Sequence, residues 1–237
     1  MNPRALFLHG AGAWGGQWAI WRRVFEAEGW QVDTPDFAPV PDGLAATRFE
    51  DYVAQAAGWL EEAPVALLVG ASLGGLVATS AAARVAPSAR SRALVLVNPL
   101  PPAPWATGLP PLDASGDVVP WRSQGRFAST RRALPEAAFT DQRLAFAHWR
   151  DESAAVLREA HAGRPLPAPS VPTLVIASDA DDDIPPGVSA AYAQGIGTPV
   201  DMANAKRWLT ASNIQNYVPA GAYLEALTKG DATPATP

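Results

Sequence analysis

The chain contains no cysteine. Disulfides, thiolate nucleophiles and cysteine-ligated metals are therefore excluded, although no compartment is identified by this. Basic residues form no block, and the formal net charge is −5. Nucleic-acid binding, which needs clustered Lys and Arg to neutralise phosphates, is not expected. No apolar run reaches the roughly 18 residues of a membrane span. Met1-Asn2-Pro3-Arg4 leads at once into Ala5-Leu6-Phe7-Leu8, too short a start for a signal peptide. The expectation is a cytoplasmic protein with neither nucleic-acid nor membrane partners. Histidine is scarce, and none lies beyond His161.

A chain of 237 residues, 48% of them hydrophobic, can bury one substantial core. Short apolar runs bounded by turn residues predict strands at Arg4–Leu8, Gln31–Thr34, Val65–Val69, Ala93–Val97, Thr173–Ala177 and, more weakly, Pro199–Met202. Helical stretches are expected at Gly16–Glu28, Glu50–Glu61, Leu73–Val85 and Val188–Gln194. This alternation predicts an α/β protein, with a mostly parallel sheet covered by helices on both faces. The alternation stops between Pro99 and Pro169, where proline clusters mark both edges and Glu136–Glu159 reads as helical. Residues 99–169 are read as an inserted lid, 1–98 and 170–230 as the core, and 231–237 as a disordered tail. No internal repeat is found.

Two motifs carry chemistry. Gly70-Ala71-Ser72-Leu73-Gly74-Gly75 stands between a strand and an Ala-rich helix. That is the context of a nucleophile elbow, in which glycines permit a tight turn and the serine hydroxyl is presented above the sheet. Ser72 is the candidate nucleophile, and the helix that follows adds a positive dipole end beside it. Leu8-His9-Gly10-Ala11-Gly12-Ala13-Trp14 follows the first strand. Such a loop brings a backbone N–H to the carboxyl end of the sheet, so Ala11 and Leu73 become the candidate oxyanion donors. His9 is read as a structural loop residue. The loop matches neither a phosphate-binding loop nor a dinucleotide fingerprint, and no cofactor is expected.

These residues resemble the α/β-hydrolase superfamily, in particular its small carboxylesterase and hydroxynitrile-lyase-like branch. His9-Gly10-x-x-x-Trp14, the Ser72 elbow and the acid-bearing stretch from Leu174 to Pro185 fall in the family's order. The resemblance runs from Arg4 to about Leu227, and the family's first two strands have no counterpart. It implies an α/β-hydrolase fold with a lid and a site at the carboxyl ends of the strands. It also implies that Asp181, four residues before Pro185, is the triad acid, with Asp182 as runner-up. Asp179-x-Asp181-x-Asp183 spaces oxygens as calcium would need, but lacks the glycine and glutamate of an EF-hand loop; no metal is expected.

The family's base is a histidine after the last strand. Here Lys206 and Arg207 stand in its place. Arginine cannot act as a base. Lysine can if burial or a like charge such as Arg207 depresses its pKa, and serine–lysine pairs are known catalytic units. His148 and His161 in the lid are further candidates. Three readings stay open: a serine hydrolase acting on a small apolar ester or carbonyl substrate with an atypical base; a non-hydrolytic lyase, cyclase or isomerase; and a silent ligand-binding protein. Nine tryptophans are many for this length. Trp14, Trp18, Trp105 and Trp121, with His148, are the candidate lining of an apolar or aromatic pocket, against the alternative that they are packing.

Overall fold

The computed structural model describes residues 2–135, 137–179 and 181–196. Its strands are β1 (Arg4–Leu8), β2 (Gln31–Asp33), β3 (Leu67–Ala71), β4 (Ala93–Val97), β5 (Val118–Val119), β6 (Glu152–Ser153) and β7 (Thr173–Ile176). Its α-helices are α1 (Ala19–Ala27), α2 (Phe49–Glu62), α3 (Leu73–Arg84), α4 (Phe127–Ala133), α5 (Phe139–His148), α6 (Ala154–His161) and α7 (Pro186–Gly195). Five strands form a parallel sheet in the order β2-β1-β3-β4-β7, and β5 pairs antiparallel with β6. This is the α/β architecture that the alternating sequence predicts. No helix among the described residues is long and apolar enough to cross a membrane.

Alternate residues of a strand face opposite sides of the sheet, and both sides are apolar here. Leu6, Leu8, Leu68, Leu94 and Leu96 pack with Tyr52, Leu76 and Tyr192 from α2, α3 and α7. Ala5, Phe7, Leu67, Val69 and Val95 pack on the other side with Trp18 and with Phe25 of α1. Phe7 packs in T-shaped contact with Trp18 and Phe25, the ring centroids 5.2 and 5.1 Å apart. Trp21 and Trp30 pack on the same cluster, so Trp18, Trp21 and Trp30 are core material and Trp18 lines no pocket at the carboxyl ends of the strands.

Two expectations need correction. The third strand runs to Ala71 rather than ending at Val69, because Gly70 pairs with both Leu8 and Leu96 and Ala71 pairs with Val97. Ladder partners on both sides hold a glycine that local propensity would place outside the strand. The predicted helical run Glu136–Glu159 is two helices, α5 and α6, broken over Trp149–Ser153. Tertiary bonds override helical propensity there. Arg150 donates its N–H to the Gly12 carbonyl at 2.7 Å, and β6 pairs with β5. Ser153 then caps α6, its Oγ accepting the Val156 N–H at 3.3 Å. Val156 and Ala160 of α6 lie in the same core cluster as α2 and α3. The expected strand Pro199–Met202, the end of the core span and the tail at 231–237 lie outside the described residues.

Candidate active site

The strand order reverses between β1 and β3, and the segments leaving their carboxyl ends meet there. Such a switch point is where open parallel sheets bind ligands. Gly10 lies directly against Ser72: a methyl group on Gly10 would stand 3.3 Å from the Ser72 Cβ and 4.0 Å from its Oγ. A Cβ on Gly74 would fall 2.4 Å from the His9 carbonyl oxygen, so only glycine lets α3 start this close to β1.

Ser72 is half-buried, with φ 49° and ψ −119°. Positive φ is costly for a residue carrying a Cβ, by about 1–2 kcal/mol. The neighbouring backbone holds it in place. Ser72 N–H donates to the Val97 carbonyl at 3.0 Å, and its own carbonyl accepts from Gly75 and Leu100 N–H groups, also at 3.0 Å. Leu73 is the first residue of α3, so its N–H has no intrahelical acceptor. The Ala11 N–H donates to no other protein group among the described residues.

Asp181 is half-buried, whereas Asp179, Asp182 and Asp183 are exposed. Its Oδ1 accepts the N–H groups of Asp183 at 2.9 Å and Ile184 at 2.8 Å. Burial pushes its carboxyl above the usual range, and the charges of Asp183 and Asp182 add to this. The two backbone donors oppose the shift. Sequence reasoning missed Asn98, at the end of β4, which has φ 40°. Its Oδ1 accepts the Ser178 N–H at 2.6 Å and its N–H donates to the Ile176 carbonyl at 2.7 Å. Asn98 thereby ties β4 to the loop that carries Asp181. An asparagine just past a strand, where left-handed backbone is common for this residue, was the available signal.

Each histidine has a defined place. His9 is buried; its Nδ1–H donates to the Gly10 carbonyl at 2.8 Å and its Nε2 accepts the Phe37 N–H at 3.2 Å. Both nitrogens are occupied, and burial lowers its pKa, so the ring is a neutral strut for the Gly10 loop. His161 donates from Nε2 to the Pro110 carbonyl at 2.7 Å. It lines a depression of about 450 Å³ with Leu112, Ala114 and Arg158, in which the Ser72 turn has no part. His148 is exposed, bonds the Leu144 carbonyl through Nδ1 at 2.9 Å, and stacks on Trp14 at 4.8 Å. Trp121 lies on the α-carbon of Gly12, where a Cβ would meet its ring at 2.3 Å. The fold therefore brings Trp14, Trp121 and His148 to the Gly10–Trp14 loop. Trp105 packs instead on Tyr192, with centroids 5.2 Å apart, and on Gly195 of α7. Lys206 and Arg207 lie outside the described residues. Among the described residues no three His, Asp or Glu side chains cluster as metal ligands.

A parallel α/β sheet, a strained serine at the strand-to-helix turn and a glycine loop beside it are the framework of an α/β-hydrolase site. The profile of the alpha/beta hydrolase family matches residues 5–213, and the chain belongs to that family. No curated protein matches the sequence. Among solved structures, polyneuridine aldehyde esterase is similar with a TM-score of 0.62 at 16% identity, over 85% of this chain and 90% of that one. Methylketone synthase I from tomato, solved with 2-tridecanone, gives 0.65 at 14% identity, over 90% and 98%. A pyrethroid hydrolase from Sphingobium faniae JZ-2 gives 0.61 at 18% identity, over 91% and 99%. At these identities the likeness is one of fold.

Proposed function

We propose that this protein is an enzyme of esterase-like ancestry that acts on a small apolar ester or carbonyl substrate through Ser72. The observation that carries this reading is the Ser72 backbone, held at φ 49° beside Gly10 where a ligand would enter the switch point. A serine with no chemical task has no reason to keep a conformation that glycine adopts freely.

In this reading the Ser72 Oγ attacks the substrate carbonyl carbon and its proton passes to a base. The Ala11 and Leu73 N–H groups receive the developing oxyanion, with the start of α3 adding its dipole. The alkoxide leaves with that proton, and water releases the acyl group from Ser72 by the reverse sequence. Asp181 serves as the acid that orients the base. Lys206 is the proposed base, with Arg207 lowering its pKa. The occupied nitrogens of His9 support looking beyond that residue. Trp14, Trp121 and His148 supply an aromatic flank suited to an apolar substrate, and Trp105 belongs to the same proposed lining. Residues 99–169 are the proposed lid. The similar structures include a pyrethroid hydrolase and a synthase solved with the ketone 2-tridecanone, which favours an apolar carbonyl ligand.

A non-hydrolytic lyase, cyclase or isomerase on the same scaffold is the second reading. The observation favouring it is the lack of any histidine after His161. Turnover of aryl esters of varied acyl length by wild type, Ser72→Ala and Lys206→Met separates the two. The hydrolase reading expects turnover that both substitutions abolish. Wild-type inactivity favours the second reading, and full activity in Lys206→Met removes lysine as the base.

A further inference from the structure

Gly12 is gripped through both of its backbone polar groups by a segment about 140 residues away in sequence. Its carbonyl accepts the Arg150 N–H at 2.7 Å. Its N–H donates to the Glu152 Oε2 at 3.1 Å, across a separation of 140 residues. Gly12 has φ 63° and carries Trp121 on its α-carbon, so neither the conformation nor the contact admits a side chain. Arg150 adds a second tie, its guanidinium donating to the Phe37 carbonyl at 2.7 Å beside the His9 strut.

Glu152 is only 4% exposed. A buried carboxylate is costly unless hydrogen bonds satisfy it. Its second oxygen, Oε1, accepts the Tyr52 hydroxyl at 2.7 Å and the Ser153 N–H at 2.9 Å. Three donors therefore converge on one buried carboxylate, from α2, from β6 and from the loop after β1. Burial and the adjacent Glu152 carboxylate push the Tyr52 phenol far up, so it stays a donor. A group that could have been replaced by an apolar side chain of similar size is kept in the core. What distinguishes its position is the residue it holds: Gly12 directly follows Ala11.

We propose that Glu152 is a positioning residue for the oxyanion donor Ala11, holding the loop through the Gly12 N–H so that the Ala11 N–H stays aimed at the Ser72 turn. The proposal rests on the reading of Ala11 and Ser72 given above. The segment after α5 is then part of the catalytic framework and not only a cover. Misplacing a catalytic donor by about 1 Å costs roughly 100-fold in rate.

The test compares Glu152→Asp with Tyr52→Phe. Shortening the side chain keeps the charge and the local Ser153 bond while withdrawing from Gly12 and Tyr52. Tyr52→Phe removes only the Tyr52 bond. Aryl-ester kinetics should show kcat lowered about 10- to 100-fold in Glu152→Asp with KM within about threefold, and both within about threefold in Tyr52→Phe. A merely structural carboxylate would lower the melting temperature of both variants and leave kcat of the folded protein unchanged; that result overturns the proposal. Hydrogen exchange of the Gly12 amide, read by NMR, probes the clamp independently of turnover. Slow exchange in wild type and fast exchange in Glu152→Asp support the clamp. Fast exchange in wild type overturns it, even if Glu152→Asp does not fold. A wild type without Ser72-dependent turnover defeats the hydrolase reading, and the exchange rates then decide the clamp alone.

Discussion

The side-chain oxygen of Asn98 accepts the Ser178 N–H at 2.6 Å, joining the end of β4 to the loop that carries Asp181. Asn98 holds this bond at φ 40°. Asn98→Ala removes the bond and puts a residue with less tolerance of that backbone in its place. A loss of about 1–3 kcal/mol in urea denaturation is expected, with a fall in Ser72-dependent turnover as the acid loop drifts. Asn98→Gly should recover part of the stability and none of the turnover, because it relieves the backbone without restoring the bond. Equal stability of the alanine and wild-type proteins would count against this assignment.

Ser72 carries the same kind of backbone cost. Ser72→Gly places the one residue that adopts φ 49° freely at this turn. Turnover should vanish while stability holds or rises by up to about 1 kcal/mol, once the entropy cost of glycine is set against the strain relieved. Denaturant midpoints of the two proteins check it. A clear loss of stability would mean that the turn is not strained.

Asp181 is held half out of water beside two other carboxylates, and its carboxyl pKa is raised. Its charge therefore opposes folding at neutral pH, since the unfolded chain ionises it more readily. Asp181→Asn keeps an oxygen for the Asp183 and Ile184 N–H groups and removes the charge. The melting temperature should stay level or rise, while turnover falls about 1,000-fold or more. Comparable losses in Asp182→Asn, an exposed position, would reassign the acid.

His9 supplies a pH dependence of stability. Its pKa is lowered in the fold by burial, so below the unfolded value of about 6.5 the unfolded chain binds a proton that the native state does not. Stability from His9 is thus present above about pH 6.5 and lost as pH falls toward its depressed folded pKa. Denaturation at pH 7.5 and pH 5.5 should show a drop that is smaller in His9→Gln. An identical drop in the variant would place the proton uptake elsewhere.

Much of the framework was legible because it is local. The apolar runs around Leu6, Leu68, Leu94 and Val175 each mark a buried strand, and the glycine spacing around Ser72 marks the turn. The resemblance already set Asp181 ahead of Asp182 by its distance from Pro185, and the structure adds that Asp181 is half-buried while Asp182 is exposed. Glu152 was illegible. It stands in Arg150-Asp151-Glu152-Ser153, a polar stretch inside the run Glu136–Glu159 that reads as helical, and the partner that gives it meaning lies at Gly12. The break between α5 and α6 was missed for the same reason, since its cause is the Arg150–Gly12 bond rather than any local helix breaker. The tryptophans divide without a sequence signal: Trp18 is buried beneath the sheet while Trp14 stacks on His148.

The central claim is that Ser72 is a nucleophile. The most direct measurement is stoichiometric labelling by an active-serine phosphonate probe, followed by intact-mass and peptide mapping. The account predicts rapid incorporation of one phosphonyl group per chain at Ser72, abolished in Ser72→Ala and slowed in Asp181→Asn. Well-folded wild-type protein that takes up no label at Ser72 would contradict it.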